Sequence, residues 1–351
     1  MSNFAPSTIE FRPLQTKTAT MARNHIICVG AVYIDTILTV PHFPIEDEKL
    51  RARGLSRRRG GNTANSLEVL SQLQNQDPTI TTKTSGAAAL HLLAVLPDEH
   101  SASAKFICES IPGVNTAGVS LFRHGYEEAA SSYIIQSQET RSRTIVSINQ
   151  LPEMKFEEFK QRIEAFALPL SAEEKVWVHF EGRIPEVTYP CAEFLRDALT
   201  RFRISVECEK PERKDIAKVA RFADVVFYSK LWAEKNGFGD AKTFLEAQRE
   251  GTKEGAILCC TWGSGGATAL QKGAQETWAN VKAWHVSGEE QAQVVDTIGA
   301  GDTFIAGILF SVNNHDEWDL QKKLEFANEL AGRKVLQEGF SDLGRKMWVA
   351  R

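Results

Sequence analysis

Asp296-Thr297-Ile298-Gly299-Ala300-Gly301-Asp302 is the stretch whose residue types and order most clearly could do chemistry. Val294-Val295 feeds this small-residue loop, and apolar Phe304, Ile305, Ile308 and Leu309 follow at helical spacing. The pattern predicts a helix opening directly from the loop. Gly299, Ala300 and Gly301 leave backbone N–H groups unobstructed at its N-terminus, where geometry and the helix dipole both favour an anion. Asp302 stands at the helix start. A carboxylate there can simply cap the helix. It can also accept a hydroxyl proton while the cradle holds a phosphoryl group in transfer, a reaction that needs little beyond positioning and charge stabilisation.

A second glycine turn, Gly60-Gly61-Asn62-Thr63-Ala64-Asn65, leads into Ser66–Leu73, where Leu67, Leu70 and Leu73 stand at helical spacing. Asn62 and Asn65 each offer a donor and an acceptor, as a neutral polyhydroxy ligand would need. Turn formation and helix capping would use the same residues. Asp35 ends an apolar run, His25 to Ile34, expected to be one buried strand.

The elements that must position these groups alternate. Strand-like runs at 176–180, 204–208, 225–228 and 256–260 are separated by helical stretches at 187–200, 212–222 and 241–250. Such alternation implies βαβ units and a largely parallel sheet covered on both faces, with ligands bound at the carboxyl ends of its strands. Tyr133–Ile135 and Thr144–Ile148 suggest a hairpin, and residues 302–336 suggest two helices. Gln74 to Gly86 is polar and Thr-rich and reads as an irregular loop or insertion. Residues 1–22 are expected to form a disordered tail, with Met21 as an alternative start and a transit peptide only weakly supported.

Composition narrows the function. The 351 residues are 42% hydrophobic and 25% charged, as in an ordinary soluble globular protein, and the net charge of −4 leaves no footprint for nucleic acid. No apolar run is long enough to span a membrane. The basic run Arg57-Arg58-Arg59, with Arg51 and Arg53 nearby, reads as a solvated loop, or as a lobe that attracts phosphorylated ligands. The six cysteines form no C-x-x-C pair, and Cys28, Cys208, Cys259 and Cys260, inside apolar runs, are expected as buried hydrophobes in a reducing, cytoplasmic compartment. There is no H-E-x-x-H, no G-x-x-x-x-G-K-[ST], no H-R-D or D-F-G, and no G-x-G-x-x-G after the first strand. These absences argue against a zinc protease, a P-loop enzyme, a protein kinase and a dinucleotide oxidoreductase.

The 296–309 segment resembles the C-terminal signature of the ribokinase/PfkB carbohydrate kinases, and residues 60–65 resemble the core of their N-terminal signature. Cys28–Asp35, Ser142–Ile145, His179–Arg183, Val206–Pro211 and Asp224–Lys230 are similar to the ketohexokinase branch of that family. The resemblance runs from about His25 to Phe340. It implies an α/β, three-layer α/β/α ribokinase-like domain over 23–351, with a mostly parallel sheet and a small β-sheet lid near 33–55 and 121–147. It implies ATP and Mg²⁺ as cofactors and phosphoryl transfer to a sugar hydroxyl, with D-fructose to fructose 1-phosphate preferred. Ribokinase or nucleoside kinase activity is the alternative, or a non-catalytic sensing relative.

Carried over residue by residue, Asp302 would be the base and the Gly299, Ala300 and Gly301 backbone the anion hole. Asp35, Gly61, Asn62 and Asn65 would hold the sugar. Arg143 would meet the ATP phosphates, with Arg141 and Arg183 competing for that role. Gly263 and Gly266, in Trp262–Gly266, would pass under the nucleotide. A homodimer through the lid is expected. The family's Asn-x-x-Glu, which orders magnesium, is replaced by Ser229-Lys230-Leu231-Trp232. The metal ligands therefore stay unassigned, with Glu207 and Glu209 as candidates.

Overall fold

The computed structural model describes residues 24–80, 86–286 and 294–349. The expected N-terminal tail lies outside them. The first half of the chain forms β1 (Asn24–Val29), β2 (Tyr33–Val40), β3 (Gly54–Gly60), α1 (Asn62–Gln76), β4 (Ala89–Leu93), β5 (Val95–Leu96), α2 (Ala102–Ser110), β6 (Val114–Asn115) and β7 (Leu121–Phe122). There follow β8 (Ser131–Ser137), β9 (Arg143–Ile148), α3 (Phe156–Ala167), β10 (Lys175–Phe180), α4 (Pro185–Ala198), β11 (Phe202–Cys208), β12 (Val225–Ser229) and α5 (Lys230–Lys235). The rest is α6 (Ala241–Gln248), β13 (Ile257–Thr261), β14 (Ala267–Gln271), β15 (Thr277–Val281), α7 (Ala300–Asn314), α8 (Leu320–Val335) and α9 (Leu343–Val349).

A nine-stranded sheet in the order β15-β14-β13-β12-β11-β10-β1-β4-β6 divides the molecule. It is parallel from β6 to β13 and antiparallel at β14 and β15. Its strands are apolar on both faces, as a doubly covered sheet requires. Ile26 and Cys28 of β1 point into one core, against α1, α7 and α8. Ile27 and Val29 point into the other, against α3, α4 and α6. No described helix is long and apolar enough to cross a membrane.

A second sheet, in the order β3-β2-β8-β9, stands over the carboxyl edge of the first. Register places Asp35, Arg58, Ser132 and Ser147 in one row across it, all on one face. The expected hairpin is β8 and β9.

Four expectations need correction. The single strand expected over His25–Ile34 is two strands in two sheets. β1 ends at Val29 and β2 starts at Tyr33, because Ala31 N–H leaves the ladder to donate to the Glu181 carboxylate at 2.7 Å. The helix expected from Ser66 begins at Asn62 and runs to Gln76, so the irregular stretch expected from Gln74 starts later; residues 81–85 lie outside the described residues. The basic run is no solvated loop. It is strand β3, and Arg59 is buried at 7% exposure. The charge pattern could not reveal this, because Arg59 is drawn in by Asn65 and Glu68 of α1. Residues 214–222, expected as an α-helix, form a tighter 3₁₀ run.

Candidate active site

The carboxyl ends of the parallel strands converge on one cavity of about 580 Å³. Glu181 follows β10, Glu207 and Glu209 stand at the end of β11, and Ser229 and Thr261 close β12 and β13; all five line it. The small sheet adds Asp35, Ser132, Ile145 and Ser147 from above. The N-termini of α1 and α7 supply Gly61, Asn62 and Asn65 on one side and Gly299, Gly301 and Asp302 on the other.

Both helix starts depend on glycine. Gly61 is the N-cap of α1 with φ 109°, and a Cβ there would strike the Ala31 carbonyl. Gly299 is the N-cap of α7 with φ 75°, and a Cβ there would strike the Phe340 ring. L residues avoid this backbone region. With Gly299 at the cap, Ala300, Gly301 and Asp302 open the first turn; Ala300 N–H donates to Thr297 O at 3.3 Å, and the Gly301 and Asp302 N–H groups are among those an α-helix leaves without an intrahelical partner. Asp302 does not cap the helix. Its Oδ2 accepts from Asn65 Nδ2 at 2.7 Å, and its backbone carbonyl accepts from Ser66 Oγ at 2.9 Å. Among the described residues no hydrogen bond falls on Oδ1.

Burial pushes the Asp302 carboxyl up to about 7, with Glu209 and Glu181 adding to the rise and the Asn65 hydrogen bond and Arg59 opposing it. A buried acid poised near neutrality suits proton transfer. Glu207 is also raised well above the ordinary carboxylate range, first by burial and then by Asp302, Glu209 and Glu181. Its Oε2 accepts from Asn62 Nδ2 at 3.3 Å. Asp35 is raised by burial, against the attraction of Arg58, whose Nε lies 3.8 Å away. Neither asparagine caps α1; the two amides face carboxylates across the cavity instead.

The loop before α7 is held from behind. Lys334 of α8, fully buried, donates to Asp296 O at 3.1 Å, Asp296 Oδ2 at 3.2 Å and Gln337 O at 3.2 Å. Asp296 Oδ1 accepts from Ile298 N–H at 2.9 Å. Burial acts to raise the Asp296 carboxyl, but that N–H and the Lys334 ammonium outweigh it and hold it below its ordinary range.

Several expected residues stand elsewhere. Arg143 does not line this cavity. It lies further along β9, in a neighbouring cavity of about 590 Å³ with Arg58 and Arg141, and reaches Asp296 Oδ1 at 3.4 Å. Thr297 and Ile298 line both cavities. Arg183 lines the first, its guanidinium 5.3 Å from the centre of the Tyr33 ring. Gly263 and Gly266 form the turn between β13 and β14, just past Thr261, and line neither cavity. Ser229-Lys230-Leu231-Trp232 opens α5, with Ser229 Oγ accepting from Trp232 N–H at 3.1 Å and donating to Glu209 O at 3.0 Å.

Sequence reasoning gave no role to Glu181, Arg213, Lys210, Ser132 or Ser147, and saw Arg59 only as part of a basic run that is solvated or attracts phosphorylated ligands. Glu181 and Lys210 lie inside stretches already singled out, and Arg59 directly precedes the Gly60-Gly61 turn. Only the strand ends show that they converge.

Residues 23–344 match the family model described as pfkB family carbohydrate kinase. The ketohexokinase of Mus musculus is 29% identical over 330 residues, which cover 92% of this chain and 100% of that protein. The crystal structure of phosphofructokinase-2 from Escherichia coli in complex with fructose-6-phosphate superposes with a TM-score of 0.66 at 12% identity, covering 93% of this chain and 99% of that one. The ribokinase from Cryptococcus neoformans var. grubii serotype A in complex with ADP gives a TM-score of 0.58 at 16% identity, covering 91% and 96%. The architecture shared with these structures is the ribokinase-like fold.

Proposed function

This chain belongs to the pfkB family of carbohydrate kinases, and on that premise we propose that it transfers the γ-phosphoryl group of ATP to a hydroxyl of a ketohexose, with D-fructose giving fructose 1-phosphate. The observation that carries the reading is the Asp302 carboxylate: buried in the cavity, poised near neutrality, with no partner on Oδ1 among the described residues, in the first turn of α7 beside the Gly299–Gly301 amides.

Asp302 takes the proton of the attacking hydroxyl as the sugar oxygen bonds to phosphorus and the bond to ADP breaks. The N–H groups of Gly299, Ala300 and Gly301 and the α7 dipole hold the charge on the phosphoryl oxygens. Asp35, Gly61, Asn62 and Asn65 bind the sugar hydroxyls, with Ser132 and Ser147 as further partners above them. The small sheet acts as a lid that excludes water. ATP runs from the α7 start past Thr261 towards the Gly263–Gly266 turn. Arg143 meets its phosphates at the Thr297–Ile298 segment that the two cavities share.

Among the described residues no three His, Cys, Asp or Glu side chains converge as an all-protein metal cage. Glu207 and Glu209 nevertheless offer hard oxygen donors at the cavity wall. That fits Mg²⁺, which binds through one or two carboxylates, waters and nucleotide phosphates. When bound it neutralises charge on the phosphates.

The preference for a ketohexose rests on the likeness to the mouse ketohexokinase. The free cysteines, Cys28, Cys191, Cys208, Cys259 and Cys260 among them buried, support a reducing, cytoplasmic location. The exposed outer face of the small sheet supports a homodimer, with Tyr133 53%, Val146 62% and Ile148 50% exposed.

The test is ADP release by purified protein with ATP and Mg²⁺ over a panel of D-fructose, ribose, adenosine and sugar phosphates, alongside Asp302→Asn. Turnover on fructose that is lost in the variant supports the reading. Turnover confined to ribose or adenosine replaces the substrate. Silence across the panel with ligand binding intact overturns the kinase in favour of a sensor.

A further inference from the structure

Arg59 begins the chain of contacts that ends on Asp302, and the proposed chemistry gives it no task. Its Nη1 donates to Asn65 Oδ1 at 2.7 Å, and Asn65 Nδ2 donates to Asp302 Oδ2 at 2.7 Å. Its Nη2 pairs with Glu68, one turn further along α1. A guanidinium carries only donors. Asn65 must therefore turn its amide oxygen to Arg59, which leaves its NH₂ for Asp302. An NH₂ only donates, so Oδ2 is held as an acceptor and proton exchange falls to Oδ1.

We infer that Arg59 is a positioning residue: through the Asn65 amide it sets which oxygen of Asp302 takes the substrate proton, and through its charge it favours the ionised carboxylate in a buried site. The inference deepens the reading of Asp302 as base and rests on it. The charged groups facing Asp302 pull in opposite directions. Glu181 after β10 and Glu209 after β11 oppose its ionisation, with Glu207 beside them, while Arg59 favours it. Arg59 itself faces Glu68 on α1 and Asp35 on β2. Lys334 of α8 is engaged with Asp296 at the base of the loop.

The test compares wild type, Asp302→Asn, the paired variant Arg59→Met with Glu68→Met, Arg59→Lys and Glu68→Gln. Each is melted, and kcat/KM with ATP and D-fructose is followed from about pH 5 to about pH 9. The paired variant removes both charges together, so neither is left buried alone. It is expected to melt near wild type, with kcat down on the order of 10- to 100-fold and the acid limb moved to higher pH. Arg59→Lys returns the limb towards its wild-type position. Glu68→Gln moves it to lower pH, because Arg59 loses a competing carboxylate.

A folded paired variant with wild-type kcat and limb overturns the inference. If the paired variant does not fold, a Glu68→Gln limb that stays in place overturns it. Turnover that survives Asp302→Asn, or a wild type without turnover, overturns the base assignment and this inference with it. Turnover lost in Asp302→Asn but untouched by the Arg59 variants overturns this inference alone.

Discussion

Asn65 and Asp302 stand 237 positions apart in the chain, yet the amide nitrogen of one lies 2.7 Å from the carboxylate of the other, each in the opening turns of its own helix. The contact joins the two glycine turns into one site. It also gives the buried carboxylate a donor that stabilises its charged form against the rise that burial causes.

Removing the Asp302 charge should abolish most of the chemistry. Asp302→Asn is expected to lower kcat by about 10²- to 10⁴-fold, the usual contribution of a positioned base, with little change in nucleotide affinity. Steady-state turnover beside a nucleotide-binding titration checks both. A kcat within about threefold of wild type would remove Asp302 from the role.

The pH profile follows from the same group. A base must be ionised, so kcat/KM should rise through about pH 7, where burial has placed the Asp302 carboxyl. Stability should move the other way. The folded carboxyl binds its proton up to about pH 7, while the unfolded one releases it in the ordinary carboxylate range. Its contribution is therefore full at low pH and is lost as pH rises through the folded value. Asp302→Asn is expected to raise the melting temperature at alkaline pH and to leave it nearly unchanged under acid conditions. An equal effect at both ends would mean that the carboxyl is not shifted.

Gly299 is wedged against Phe340 with a positive φ. Gly299→Ala should cost roughly 1–3 kcal/mol from backbone strain alone and displace the N–H cradle. Denaturant unfolding should register the loss. Combination with Phe340→Leu should relieve the steric share and leave the strain.

Lys334, fully buried, pairs with the part-buried Asp296 beneath the cradle. Lys334→Met leaves Asp296 with only the Ile298 N–H and Arg143 as partners and should destabilise the protein by about 1–3 kcal/mol. Adding Asp296→Asn should recover part of that loss. A single variant that melts like wild type would show that the pair does not hold the loop.

Association should depend on the outer face of the small sheet. Sedimentation at micromolar protein is expected to give a dimer, and Val146→Glu, which puts a charge on the apolar row with Tyr133 and Ile148, a monomer. A monomeric wild type would dismiss the dimer.

The two glycine turns and the alternation of strands and helices were legible in the sequence because they are local. A glycine cap, a helix start and an apolar strand depend on residues within a few positions of one another. Three features depended on neighbours far along the chain. The run from His25 to Ile34 reads as continuous until Glu181, 150 positions from Ala31, draws an N–H out of the ladder. The three arginines of β3 look alike until α1 buries one of them against Asn65 and Glu68. Asn62 and Asn65 read as sugar-binding or as turn and cap residues alike until α7 and β11 bring Asp302 and Glu207 to their amides. Local patterning along the chain shows which groups could do the chemistry and which fold could carry them. Which atoms of those groups are paired and which face the cavity follows from the packed fold, because burial and hydrogen bonding there come from elements distant in the chain.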